Sequence, residues 1–172
     1  RARKFAHEAG AKRAVLTSSS AAIAYGHPKE RTHFTEADWS NLDNPEVPPY
    51  HRSKTVAERA SREWVAQNAP EMEVCSVNPV AVLGPVVNDD LSTSIEMVRK
   101  FMVGEIPAIP DVGFGVVDVR DGARAHVLAL DAPADRVCDE RFAVAEKFLW
   151  MKDMAAVLKE RVPEHARKVP TR

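Results

Sequence analysis

Tyr50 and Lys54 stand four residues apart at the start of an amphipathic stretch, so on a helix they project from adjacent turns toward one ligand. Upstream, Thr17-Ser18-Ser19-Ser20 closes a short apolar run, Ala14-Val15-Leu16, and offers a row of hydroxyls. Hydroxyl, phenol and ammonium in this order suit proton delivery to a carbonyl while a hydride arrives from a cofactor. The phenol needs help for that task, because an unperturbed tyrosine titrates near ~10. An ammonium one helical turn away favours the phenolate and supplies that help. The serines are poorly placed as nucleophiles, since no G-x-S-x-G elbow surrounds them. The six histidines show neither H-x-x-x-H nor H-E-x-x-H spacing, and no metal site is expected.

These residues need elements to hold them. Arg13 to Ser18 reads as a short buried strand bounded by turn-type residues. Residues 26–49 contain Pro28, Pro45, Pro48 and Pro49, which prevent continuous helix, so this is a long loop delivering the chain to Tyr50. Over 50–68 the helical period places Val56, Ala57, Ala60, Trp64 and Val65 on one apolar side. A strand at Val74 to Val77 follows, and strand-helix-strand order implies a parallel sheet. Asn78-Pro79-Val80 then leaves the carboxyl end of that strand, where open α/β sheets bind ligands.

Further on, helices are expected at about 91–103 and 121–132, with a strand ending near Asp118 between them. Leu91-Ser92-Thr93-Ser94 either caps the first of these helices or touches a ligand. Gly113 and Gly115 form a lone G-x-G and read as loop or strand-entry glycines. Asp118, Arg120, Asp121 and His126 form a polar cluster at a helix start, where Gly122 weakens the first turn. Phe142 to Val144 is a short strand and Met151 to Arg161 the last helix.

The 172 residues are enough for one domain with a real core, at 45% apolar and 28% charged with a net charge of −1. No basic excess argues for a nucleic-acid partner, and the apolar runs are far too short for a membrane span. No apolar h-region follows the opening Arg-Ala-Arg-Lys, and cytoplasm is the expected location. Cys75 and Cys138 lack metal or redox spacing and are expected to be reduced core residues. The first nine residues already read as helix, with Gly10 as its stop, and no glycine-rich dinucleotide fingerprint is present. The expectation is therefore the C-terminal part of a larger enzyme.

Four blocks carry a family resemblance. They are Thr17-Ser18-Ser19-Ser20 with Ala21 to Gly26, Tyr50 with Ser53 to Glu58, Ser76 to Pro85, and Val117 to Asp121 with Ala123 to His126. In this order, from about residue 10 to about residue 160, the chain resembles the extended short-chain dehydrogenase/reductases. Within them it is most similar to the dihydroflavonol reductase, cinnamoyl-CoA reductase and aldehyde reductase branch. The resemblance implies an α/β fold, a Rossmann-like doubly wound parallel sheet, with about 85–115 and 145–172 forming the substrate-binding side. It implies NAD(P)H-dependent reduction of a small-molecule aldehyde or ketone, with NADP preferred and NAD as the alternative, in a monomer or homodimer.

By the same resemblance Tyr50 is the proton donor, and Lys54 tunes it and anchors the nicotinamide ribose. Ser19 falls over the substrate carbonyl, with Ser20 as its competitor. Thr17, Ser18, Asn78, Pro79 and Val80 line the cofactor. Two other readings use the same residues. One is a nucleotide-sugar epimerase or dehydratase with tightly held NAD, against which stand Phe34-Thr35-Glu36-Ala37-Asp38-Trp39 and Asp118-Val119-Arg120-Asp121. The other is a non-catalytic NAD(P)-binding sensor or scaffold, against which stands the intact Ser/Tyr/Lys set.

The chain alone is expected to bind neither NADPH nor NADH tightly, because the glycine-rich turn that holds the pyrophosphate is not in its sequence. Calorimetric titration is the check, and a micromolar Kd for these 172 residues contradicts the expectation.

Overall fold

Strand β1 (Arg13–Thr17) and strand β2 (Glu73–Pro79) pair in parallel in the computed structural model, Val15 opposite Cys75 and Thr17 opposite Val77. The structure describes residues 2–89 and 91–171. Strand β5 (Arg141–Val144) joins the other side of β2, also in parallel, giving the order β1-β2-β5. Parallel neighbours need long crossovers. Helix α2 (Pro49–Asn68) lies in the first crossover and helix α4 (Val119–Asp131) in the second. Helix α1 (Ala2–Glu8) precedes β1, and the short α5 (Ala134–Val137) precedes β5.

Side chains alternate across β2, which is buried from Val74 to Asn78. Val74 packs with Val65, Ala69 and Met72 under α2, and Ser76 and Asn78 hydrogen-bond to Glu58 of that helix. Cys75 and Val77 pack on the opposite face with Ala129 of α4, Val137 and Phe142. The sheet is thus covered by helix on both sides, as a doubly wound α/β fold requires. These elements, up to Val80 and over Gly122–Val144, make one compact unit.

A second unit holds Ala81–Asp121 and the chain from Ala145 onward. Its sheet runs β3-β4-β6, with β3 (Ala81–Leu83) parallel to β4 (Gly113–Asp118) and β6 (Lys147–Trp150) antiparallel to β4. Helices α3 (Thr93–Val103) and α6 (Met151–Arg161) bring Phe101, Met151, Met154 and Ala155 into its core with Ala166 and Val169. Ser92 caps α3 by accepting the Ile95 N–H at 3.4 Å, and Gly104 ends it in the left-handed region at φ 82°.

The structure corrects several expectations. Val56, Ala57 and Ala60 face solvent, and α2 instead buries Thr55, Glu58 and Val65. A polar helix face can be buried when every group on it is paired, and Thr55 and Glu58 both are. Cys138 is exposed just past α5, where the chain turns through Asp139 at φ 62°, while Cys75 is buried. His126 leaves the polar cluster that Asp118 and Arg120 form, and bonds Thr17 and the Gly122 carbonyl. Gly115 lies inside β4, opposite Phe148. Strands β3 and β6 and helix α5 are too short to have produced a periodic signal.

Glu58 is the centre of the first unit. Its fully buried carboxylate accepts from Arg141 Nε at 2.7 Å, Asn78 Nδ2 at 2.8 Å, Ser76 Oγ at 2.9 Å and the Ser18 hydroxyl. Arg141 in turn lies 3.8 Å over the Trp39 ring and donates to the Glu36 carbonyl at 2.7 Å and the Ala22 carbonyl at 3.3 Å. Burial pushes the Glu58 carboxyl up, but hydrogen bonds from Arg141, Ser18 and Asn78 and the Arg141 charge outweigh it and hold the group below the ordinary glutamate range.

A carboxylate depressed in the folded state stabilises the fold above its ordinary range near ~4.3 and loses that contribution as pH falls through its folded value. Urea melts between about pH 6 and about pH 3 should therefore show stability falling with acid, and a shallower fall in Glu58→Gln. An identical acid slope contradicts this. Glu58→Ala should cost about 3–5 kcal/mol, because it leaves the Arg141 cation buried and unpaired. Gly122→Ala should act in the other direction. A Cβ at Gly122 meets nothing within 4 Å, so the variant gains roughly 0.5–1 kcal/mol of helix propensity, read as a higher urea midpoint at unchanged slope.

Candidate active site

Because β1 and β2 run in parallel, their carboxyl ends lie side by side, and the Ser18 N–H extends the ladder to the Val77 carbonyl at 2.8 Å. The chain then turns. Ser19 is extended, at φ −166° and ψ 154°, and caps a single 3-10 turn over Ser20–Ala22 by accepting the Ala21 N–H at 3.1 Å. That bond uses a lone pair of the Ser19 hydroxyl and leaves its proton free to donate.

The turn is pinned from two directions. Ser40 Oγ donates to the Ala21 carbonyl at 2.8 Å and accepts the Tyr25 N–H at 2.9 Å. Thr55 Oγ1 donates to the His51 carbonyl at 2.9 Å and reaches the same Ala21 carbonyl at 3.4 Å, which seats α2 on the turn.

Pro49 occupies the first position of α2, where its missing N–H is harmless and its fixed φ suits a helix start. Tyr50 follows in the first turn and is 57% exposed. Lys54 is half-buried one turn on, its Nζ 5.8 Å from the centre of the Tyr50 ring. Among the described residues no carboxylate pairs with Lys54. Tyr50, Lys54 and Glu58 follow one another at four-residue spacing, so the same stripe of α2 passes from solvent to core.

At the strand ends, Asn78 Nδ2 donates to the Ser19 carbonyl at 3.1 Å as well as to Glu58, while its Oδ1 is buried with no hydrogen-bond partner among the described residues. Pro79 and Val80 are half-buried, and the Val80 N–H is bonded to the Val144 carbonyl at 3.2 Å. Two other sequence candidates point elsewhere. Ser18 is buried and its hydroxyl donates to Glu58. Thr17 Oγ1 lies 2.8 Å from His126 Nε2, and because His126 Nδ1 must donate to the Gly122 carbonyl at 2.7 Å, a neutral ring accepts the Thr17 proton.

Sequence reasoning gave no structural role to four residues here. The Tyr25 ring packs against His51 at 3.9 Å between ring centres, tilted by 50°, and His51 meets the Tyr50 ring edge-on at 5.6 Å. Burial, and then the neighbouring Tyr50, push the Tyr25 phenol up, while burial pushes His51 down. Gly26 lets the chain turn directly after Tyr25: it sits at φ 80°, and a Cβ there would meet the Asn41 carbonyl oxygen at 2.3 Å. Arg141 gave no signal at all, being an isolated basic residue at the start of a strand too short to read.

Among the described residues no group of three or more His, Cys, Asp or Glu side chains is placed to hold a metal ion. Among the described residues no helix is long and apolar enough to cross a membrane.

Comparison with known proteins places this geometry in a family. The chain is 34% identical over 173 residues to the NADPH-dependent methylglyoxal reductase of Saccharomyces cerevisiae, covering 92% of this chain and 50% of that protein. It is 33% identical over 159 residues to a cinnamoyl-CoA reductase of Medicago truncatula, covering 88% and 46%. The crystal structure of the yeast methylglyoxal/isovaleraldehyde reductase complexed with NADPH superposes with a TM-score of 0.81 at 31% identity, over 93% of this chain and 51% of that one. The chain thus spans about half the length of the curated relatives it matches. The profile of the NAD dependent epimerase/dehydratase family matches residues 2–145, and the chain belongs to that family, within the extended short-chain dehydrogenase/reductases.

Proposed function

We propose that the chain carries the catalytic residues of an NADPH-dependent reductase that converts a small aldehyde or ketone to an alcohol. The observation that carries this reading is Lys54, a half-buried ammonium with no carboxylate partner among the described residues, one turn from an exposed phenol. A cation with no carboxylate beside it is available to ribose hydroxyls and to a developing phenolate. The relatives more than 30% identical carry reductase or oxidoreductase names, whereas the nucleotide-sugar epimerase among the structural neighbours is 20% identical and speaks to fold alone.

The donor set fits such a cofactor. Lys54 would hold the nicotinamide ribose, with Asn78, Pro79 and Val80 along the nicotinamide and the backbone of Thr17 and Ser18 beside it. When bound, the reduced nicotinamide supplies a hydride to the carbonyl carbon. The Ser19 hydroxyl donates a hydrogen bond to the carbonyl oxygen and polarises it. Tyr50 gives its proton to that oxygen as negative charge develops, and Lys54 stabilises the phenolate left behind. Tyr50 is exposed, so solvent returns the proton.

In the enzyme expressed from its full gene, Tyr50→Phe should lower kcat by at least ~10²-fold while NADPH affinity holds, since only the proton is lost. Lys54→Ala should damage both. Ser19→Ala should cost ~10²-fold or more in kcat, the scale of a lost transition-state donor, and Ser20→Ala far less. Near-normal turnover in Tyr50→Phe contradicts the assignment, and the reverse serine ranking moves the donor to Ser20.

A further inference from the structure

We infer that Glu58 is a positioning residue of this site, whose buried carboxylate fixes the strand ends carrying Ser19 and Asn78 against the helix carrying Tyr50 and Lys54. This rests on the catalytic reading above and extends it to a group that touches neither substrate nor cofactor. The two oxygens of Glu58 divide the shorter bonds between them, with Arg141 Nη2 also reaching Oε2 at 3.5 Å. Oε2 takes the Ser18 hydroxyl and Asn78 Nδ2 at 2.8 Å, and Asn78 Nδ2 also holds the Ser19 carbonyl at 3.1 Å. Oε1 takes Ser76 Oγ at 2.9 Å and Arg141 Nε at 2.7 Å.

The first oxygen faces the site. Ser18 immediately precedes the proposed carbonyl donor, and Asn78 grips the carbonyl of that same residue. The second oxygen takes Arg141, which reaches the loop at Glu36 and Trp39 and touches the site only through the Ala22 carbonyl, at the far end of the turn that Ser19 caps. Glu58 lies on the stripe of Tyr50 and Lys54, so a shift at this carboxylate moves donor and acid relative to one another. Catalytic groups tolerate little of that, with roughly 10²-fold lost for a displacement near 1 Å.

A purely structural ion pair would be replaceable. Substituting both partners of a buried pair by apolar residues of similar volume is often neutral for stability. Glu58→Met with Arg141→Met keeps that option but removes the acceptor for Ser18 and Asn78. Glu58→Gln with Arg141→Met restores an oxygen on the Oε2 side, while its amide can donate to Ser76 and no longer meets Arg141; the Arg62 guanidinium, 3.7 Å from Oε1, stays in both double variants and so does not distinguish them.

The test compares these double variants, in the full gene product, by thermal melting and by kcat at saturating NADPH and carbonyl substrate. The expected result is that both melt close to one another, while the Met pair turns over roughly 10²-fold more slowly than the Gln/Met pair. Equal turnover in two equally folded variants overturns the inference. Should the Met pair fail to fold, Ser18→Ala and Ser76→Ala give the same comparison, since each removes one hydroxyl donor, on Oε2 and Oε1 respectively. Slower turnover in Ser18→Ala alone supports the inference, and equal effects overturn it. Tyr50→Phe measured alongside separates the two layers: if it remains active, the catalytic reading has failed, and if it is inactive while the pairs are equal, only the role of Glu58 has.

Discussion

A carboxylate sealed away from water must be neutralised or paired, and Glu58 is paired on every side. Its partner Arg141 comes from the far edge of the sheet, and its other bonds come from the end of β1 and from two inward positions of β2. Arg141 also stacks on Trp39 and binds carbonyls of the long connection between β1 and α2. Three strands, one helix and the loop that delivers Tyr50 therefore meet at one ion pair. Apolar packing would hold these elements together, but it is non-directional and would leave their register loose. Directional bonds to a single carboxylate fix it.

What the site gains is rigidity where displacement matters. Ser19 is held by its own capping bond and by Asn78, and the 3-10 turn it starts is gripped by Ser40 and Thr55. Tyr50 is exposed and Lys54 half-buried on the first two turns of α2, above a part of the helix that is locked. Fixed donors outside and a fixed polar core beneath are the arrangement that stabilises developing charge without reorganising.

Much of this was legible in the chain itself. Prolines at 48 and 49 marked the start of α2, the apolar runs near Val15 and Val77 gave the parallel pair, and hydroxyl, phenol and lysine pointed to the chemistry proposed above. The polar interior was not legible. Hydrophobic periodicity assigns the apolar side of a helix to the core, and α2 inverts that rule because Thr55 and Glu58 find partners more than fifteen residues away in sequence. Arg141 and Tyr25 were invisible for the same reason, since each acts through contacts that exist only after the sheet and loop have closed. Cys138 was misjudged because composition treats free cysteine as a buried residue type, whereas its place past a four-residue helix leaves it at the surface.

The family fixes a fold on which reduction, epimerisation and dehydration all occur, so the reaction has to be read from the fate of the hydride. The most direct measurement is isotope transfer. The full gene product is incubated with NADPH carrying deuterium at the transferred nicotinamide position and with a panel of small aldehydes and ketones, and the products are analysed by mass spectrometry and NMR. The account predicts an alcohol with one deuterium on the former carbonyl carbon and one NADPH consumed for each alcohol formed. Failure to consume NADPH with any carbonyl compound, together with isomerisation of a nucleotide sugar without net cofactor turnover, would contradict it.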